Sequence, residues 1–378
     1  MTSPLIEQGV APIPPAAQEY PMKTGLLHTG QIECYDEKGA AIPCRASGQD
    51  GEFRLGLPWP QPRFSLKDET VLDHLTGFTW AGDANLGEFP MPWQEALDFI
   101  AGMNRRTWAG FADWRLPNRR ELRSLMSYQT KKPPLPEGHP FTNIFLGWYW
   151  TSTTAAIHPA YAWCIHLEGA RMFYGRKDQD SLFWPVRGTG YGLLPKTGQT
   201  ACHDALGQEI PCPDSGQDGE HRHGLAWPQP RFIDLGETVL DNLTRLIWLK
   251  DGDPGGKPTS WPQALKLIDE INRGNLHGSS DWRLPDINAL ESLVDCSQAE
   301  PALPAGHPFQ RVREAYWSST TSFFETDWAW ALYLNKGALG VGHKKGESFF
   351  TWPVRLAGEQ AEATRRARPE KGSATESR

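Results

Sequence analysis

The 378-residue chain has no apolar run near the ~18–20 residues that a membrane span needs. It also lacks a basic excess: the formal net charge is −7, which removes the electrostatic footprint of a nucleic-acid binder. No Gly-rich phosphate loop, Ser-His-Asp order or zinc-ligand spacing occurs. The polar loops Asp83-Ala84-Asn85 and Asp251-Gly252-Asp253 lack the spacing of a calcium loop and read as solvated turns. No metal or cofactor is therefore expected, and the expected partner is a protein or a glycan. What is plentiful is Gly (37), Pro (32) and Trp (17), a mixture that suits short strands and long ordered loops carrying large rings.

The chain repeats itself. Cys34, Trp59, Trp80, Trp93 and His139-Pro140-Phe141 recur as Cys202, Trp227, Trp248, Trp261 and His307-Pro308-Phe309, at the offset of 168 that separates Asp113 from Asp281. The offset is 167 between Tyr149-Trp150 and Tyr316-Trp317, and returns to 168 at Trp184-Pro185-Val186-Arg187 and Trp352-Pro353-Val354-Arg355. A period this long predicts two domains, each with its own core, over 24–190 and 191–356. Residues 1–23 form an N-terminal extension, and the polar tail 357–378 reads as disordered.

Each copy opens on a hairpin-like stretch, TGQIECYDEKGAAIPC or TGQTACHDALGQEIPC. Cys34 with Cys44, and Cys202 with Cys212, share one spacing that fits either a hairpin disulfide or two close thiols. Short strands follow around ETVLDHLTGFTW and ETVLDNLTRLIW. Trp93, Leu97, Ile100 and Met103 then fall on one helical face, as do Trp261, Leu265, Ile268 and Ile271. A second helix starts after Asn118, with Glu121 three residues on, and after Asp286 in the other copy. Only strands are expected beyond, so the fold class is α+β.

The phrase DWRLP (113–117 and 281–285) reads as a strand-to-helix corner. Trp114 and Trp282 anchor it; Asp113, Arg115, Asp281 and Arg283 are scaffold ions, paired with Arg187 and Arg355 or with other carboxylates nearby. The charges that follow differ between the copies, Asn118-Arg119-Arg120 against Asp286-Ile287-Asn288, which a shared reaction would not tolerate.

The order of these motifs, ending in GHPF, YWSSTT, AW and FxWPVR, resembles the Lcl C-terminal domain family in two tandem copies. The resemblance implies a C-type-lectin-like fold related to formylglycine-generating enzymes and found in secreted or surface adhesion proteins. Fold is implied more firmly than function. The alternative is an enzyme related to the formylglycine-generating kind or a metal-dependent activity; the first needs an active-site cysteine pair, and Cys164 and Cys296 have no counterpart between copies (Ala331 and Tyr128). The copies differ most at 155–183 and 322–351, where loops on a rigid scaffold would carry recognition. Candidate ligand-binding residues are Tyr161, His166, Arg171, Phe173, Tyr174 and Arg176 in copy 1. In copy 2 they are Trp328, Tyr333, Lys336, His343, Lys344 and Lys345, with Phe323 and Phe324 beside them. The expectation is a non-catalytic binding or adhesion protein with two different faces. The first twenty residues carry no basic n-region or apolar h-region, so no standard secretory signal is expected there, although paired cysteines suit an oxidising compartment.

Overall fold

The computed structural model describes residues 26–358, so the extension 1–23 and nearly all of the tail 357–378 lie outside the described residues. Each copy starts with a two-stranded hairpin, Cys34–Tyr35 on Ala41–Ile42 and Cys202–His203 on Glu209–Ile210. Both hairpins are closed by disulfides, Cys34–Cys44 and Cys202–Cys212. A small sheet follows, in which Thr70–Asp73 pairs with Thr79–Ala81 and Thr238–Asp241 with Leu246–Leu249. The Asp-x-Leu-Thr turn forms because Asp73 accepts from the Leu75 N–H and the Thr76 hydroxyl, and Asp241 does the same for Leu243 and Thr244.

Helix α1 (Trp93–Arg105) buries Trp93, Ala96, Leu97, Ile100, Gly102 and Met103, the stripe read from the sequence plus an alanine and a glycine. Helix α2 is Arg119–Ser124, started by an Asn118–Glu121 capping box. In copy 2, α3 (Trp261–Arg273) buries Trp261, Ala264 and Ile268, and α4 (Ile287–Ser292) starts where Asp286 accepts from the Ala289 N–H. Three strands close each copy: β1 (Trp148–Thr154), β2 (Tyr161–His166) and β3 (Arg171–Arg176), then β4 (Ala315–Thr321), β5 (Trp328–Tyr333) and β6 (Ala338–His343). Helices with mostly antiparallel sheets is the class observed.

The two sets of three strands form one sheet of six, in the order β4-β5-β6-β3-β2-β1, joined where Leu339 pairs with Met172. The expectation of a separate core in each copy is corrected accordingly: the buried apolar residues of both copies form one connected cluster. Met172 and Leu339 are both fully buried at the seam, so neither half could keep them dry alone.

The disulfide hairpins cross over as well. Gln31, in copy 1, gives its side-chain amide to the Thr321 carbonyl (2.8 Å) and takes the Thr321 N–H (2.8 Å), which imitates a rung of β ladder on copy 2. Asp50 accepts from the Thr320 hydroxyl at 2.7 Å. In return, Gln199 makes the same two bonds with Thr154, at 3.0 and 2.7 Å, and Asp218 accepts from Thr153 at 2.7 Å. A buried lysine closes each exchange: Lys344 donates to the carbonyls of Tyr35 and Asp36 (3.1 Å each), and Lys177 to those of His203 (2.9 Å) and Asp204 (3.3 Å). Their ammonium groups lie 4.3 Å from the Trp261 ring and 4.1 Å from the Trp93 ring.

Candidate functional site

Strand alternation divides the candidate residues, because partners opposite each other in a ladder share a face. The register pairs Cys164 with Phe173 and His166 with Arg171, then Trp148 with His166 and Tyr333 with Ala338. Since Leu339 opposes Met172 on the other side, Trp148, His166, Arg171, Phe173 and Tyr333 all stand on one face of the six-stranded sheet. Their rings touch in sequence: Trp148 lies 4.8 Å from His166 and 6.5 Å from Phe173, and Phe173 lies 6.3 Å from Tyr333. Phe349 extends the strip, 5.4 Å beyond Tyr333. The strip crosses the seam between the copies.

Gly340 makes the crossing possible. It is the counterpart of Phe173, and a Cβ there would meet the Tyr333 ring at 2.9 Å and the Phe173 ring at 3.4 Å. The Lys336 ammonium sits 5.6 Å from the Tyr333 ring and 6.0 Å from that of Phe173, while Arg171 is exposed at the margin. All four ring residues from Trp148 to Tyr333 are half-buried, so they are held in place and still reachable. The strip can stack an apolar face of a ligand and pair its acidic groups with two cations.

The remaining candidates lie elsewhere. Tyr161, Tyr174 and Arg176 occupy the opposite face, with Tyr174 edge-on to Tyr161 (5.7 Å) and to Trp163 (5.4 Å). Arg176 is tied to Asp178, its Nε at 3.0 Å. Trp328 and His343 form a matching pair in copy 2, 5.6 Å apart, and Lys345 is exposed in the following turn. Phe323 packs 6.3 Å from Tyr35, and Phe324 lies 4.9 Å from the Lys132 ammonium. Lys344 is the correction: it has 0% exposure and is consumed by the hairpin exchange, so it is not open to a ligand.

Two members of the strip, Trp148 and Phe349, were missed. The counterpart of Trp148 in copy 2 is Ala315, so the copies differ there too, just before 155–183.

The DWRLP corner carries its ions as follows. Arg115 forks onto Glu121 at 2.5 and 2.8 Å, tying the strand to α2, and Arg187 binds Asp113 at 2.7 Å. Copy 2 has Ala289 in place of Glu121; there Arg283 lies over Phe53 (4.8 Å) and Arg355 over Trp282 (5.5 Å). In the polar loop of copy 2, Asp251 pairs with Arg311, and Asp253 pairs with Arg313 at 2.9 Å and is buried rather than solvated.

No curated protein matches the chain. The Lcl C-terminal domain model matches it twice, over 69–187 and 237–355, each time covering most of the small sheet, the two labelled helices and three strands of the shared sheet. The chain therefore belongs to the Lcl C-terminal domain family, in two tandem copies.

Proposed function

We propose that this is a non-catalytic ligand-binding or adhesion protein with a C-type-lectin-like fold in each copy, and that the two copies offer one composite face as well as their own. The observation that carries this reading is the aromatic strip from Trp148 to Phe349, which draws residues from both copies and is flanked by Arg171 and Lys336. The ligand is a protein or glycan with acidic groups. Thiolate chemistry is disfavoured by the burial of Cys164 and Cys296, which pushes both thiols up to about 12. The two disulfides suit an oxidising compartment.

The test is a screen of the full chain against glycans, glycosaminoglycans and surface proteins, followed by variants on a confirmed ligand. Arg171→Ala with Lys336→Ala should weaken binding at least about tenfold, the scale of one charge-assisted contact. Arg176→Ala, on the other face, should leave it unchanged. Binding that survives the first pair and Phe173→Ser places the ligand elsewhere.

A further inference from the structure

Between α2 and α4, buried cations outnumber buried anions. Arg119, Arg120 and Arg123 are 0%, 4% and 7% exposed, and they share one carboxylate, Glu291, at 3.7, 3.3 and 3.6 Å. Glu121 does not help, because it is committed to Arg115. Two further carboxylates, Asp50 and Asp286, lie close to each other, and burial holds both above the usual carboxylate range, with Asp286 repelling Asp50, so near neutral pH the pair carries about one negative charge and three guanidinium groups still face fewer anions. Cys296 stays a neutral thiol. Uncompensated guanidinium charge in such a place is costly.

Beside these arginines lies a cavity of about 50 Å³, lined by His28, Arg120, Arg123, Tyr128, Asn288 and Glu291 among others. One water needs roughly 10–15 Å³ of such space, so the cavity has room for about four oxygen-sized atoms. The lining residues carry buried donors without an acceptor: His28 Nε2, Arg120 Nε and Arg123 Nε make no hydrogen bond, and the Tyr128 hydroxyl, which lies against Arg123, has no acceptor for its own proton. His28 Nδ1 accepts from the Gly30 N–H (2.9 Å), so the proton of the neutral ring is on Nε2 and that atom is a donor too. One acceptor in the lining, Glu291 Oε1, also has no hydrogen-bond partner, but the spare donors outnumber it, and with positive charge in excess they specify the guest by its chemistry.

We propose that this cavity binds a small tetrahedral oxyanion, of the phosphate or sulfate kind, which neutralises the arginines and ties copy 1 to copy 2. The spare donors are closed off from solvent, so binding turns the guanidinium planes of Arg120 and Arg123 toward the guest. Asn288, already bonded to Arg123 at 2.8 Å, holds that side chain at the wall.

The experiment titrates the full chain with inorganic phosphate, and separately with sulfate, at low millimolar concentration and constant ionic strength set by chloride. Unfolding temperature and calorimetric heat are followed. A bound anion gives a saturating rise in unfolding temperature with a single-site isotherm, whereas exclusion of the salt from the protein surface gives a rise without saturation. Arg123→Gln should weaken the apparent affinity about tenfold or more, and Arg176→Ala should leave it as it is. If Arg123→Gln does not fold, His28→Phe, which removes the Nε2 donor from the lining and puts a larger ring there, replaces it and should abolish saturation. A response no larger than that to chloride, or one equal in the cavity variant and the wild type, overturns the proposal.

Discussion

Arg123 and Glu291 occupy equivalent positions in the two copies and meet across the junction, Nη1 to Oε2, at 3.6 Å. The two helix-starting phrases differ in charge because each is half of one contact. Two copies of the arginine version would crowd like charges together; one of each kind makes a partly compensated cluster.

Removing Glu291 should therefore be severe. Glu291→Gln leaves Arg119, Arg120 and Arg123 buried without an anion, and should cost about 3–5 kcal/mol of unfolding free energy. Urea unfolding of the variant and the wild type measures this. A loss below about 1 kcal/mol, the value of a surface pair, would mean that the arginines are compensated by something else.

The disulfide hairpins should report on the opposite copy. Cys34→Ser with Cys44→Ser removes about 2–3 kcal/mol by loop entropy and loosens the contacts of Gln31 and Asp50. Faster hydrogen exchange is expected at Thr321 in copy 2, whose N–H bonds Gln31 of copy 1, and not at Thr154 in copy 1. Replacing Cys202 and Cys212 should give the reverse pattern.

The buried lysines set a pH dependence. Burial lowers Lys177 and Lys344 from 10.5 to about 7 each, so between pH 7 and 10.5 the unfolded chain holds more protons on them than the folded one. Stability from these two groups thus rises with pH across that window and is least below about 7. Comparison with Lys177→Met/Lys344→Met isolates the effect: wild type should gain relative to the double variant as pH goes from 7 to 10. A constant difference would show that the ammonium groups stay charged throughout.

Gly340 should tolerate no side chain without moving the strip. Gly340→Ala places a Cβ 2.9 Å from the Tyr333 ring, which must swing away while the backbone stays. Ligand binding should weaken with little change in unfolding midpoint. Unchanged affinity would show that the ligand does not use the ring position of Tyr333.

Much of the scaffold was legible: the repeat, the Trp-led stripe of α1, the Asn118 capping box and the hairpin cysteines all follow from spacing. The exchange of hairpins was not. Gln31 and Gln199, Asp50 and Asp218, and Lys177 and Lys344 are the same in both copies, so the residues are equally suited to Thr154 or Thr321 and nothing local tells them apart. Lys344 was misread for a related reason. It stands among unlike residues, but at the offset of 167 its counterpart Lys177 is identical, and that identity marks scaffold. The strip of rings depends on which edge strands meet, a long-range pairing that strand alternation alone does not encode.

The joining of β3 to β6 within one chain has a consequence for how the molecule behaves as it is diluted. A three-stranded half would present an unpaired edge to any other chain in solution, and its partnership would weaken as concentration fell. Here the partner is tethered, so the edge is occupied at any concentration and a binding face built from both halves cannot dissociate into its parts.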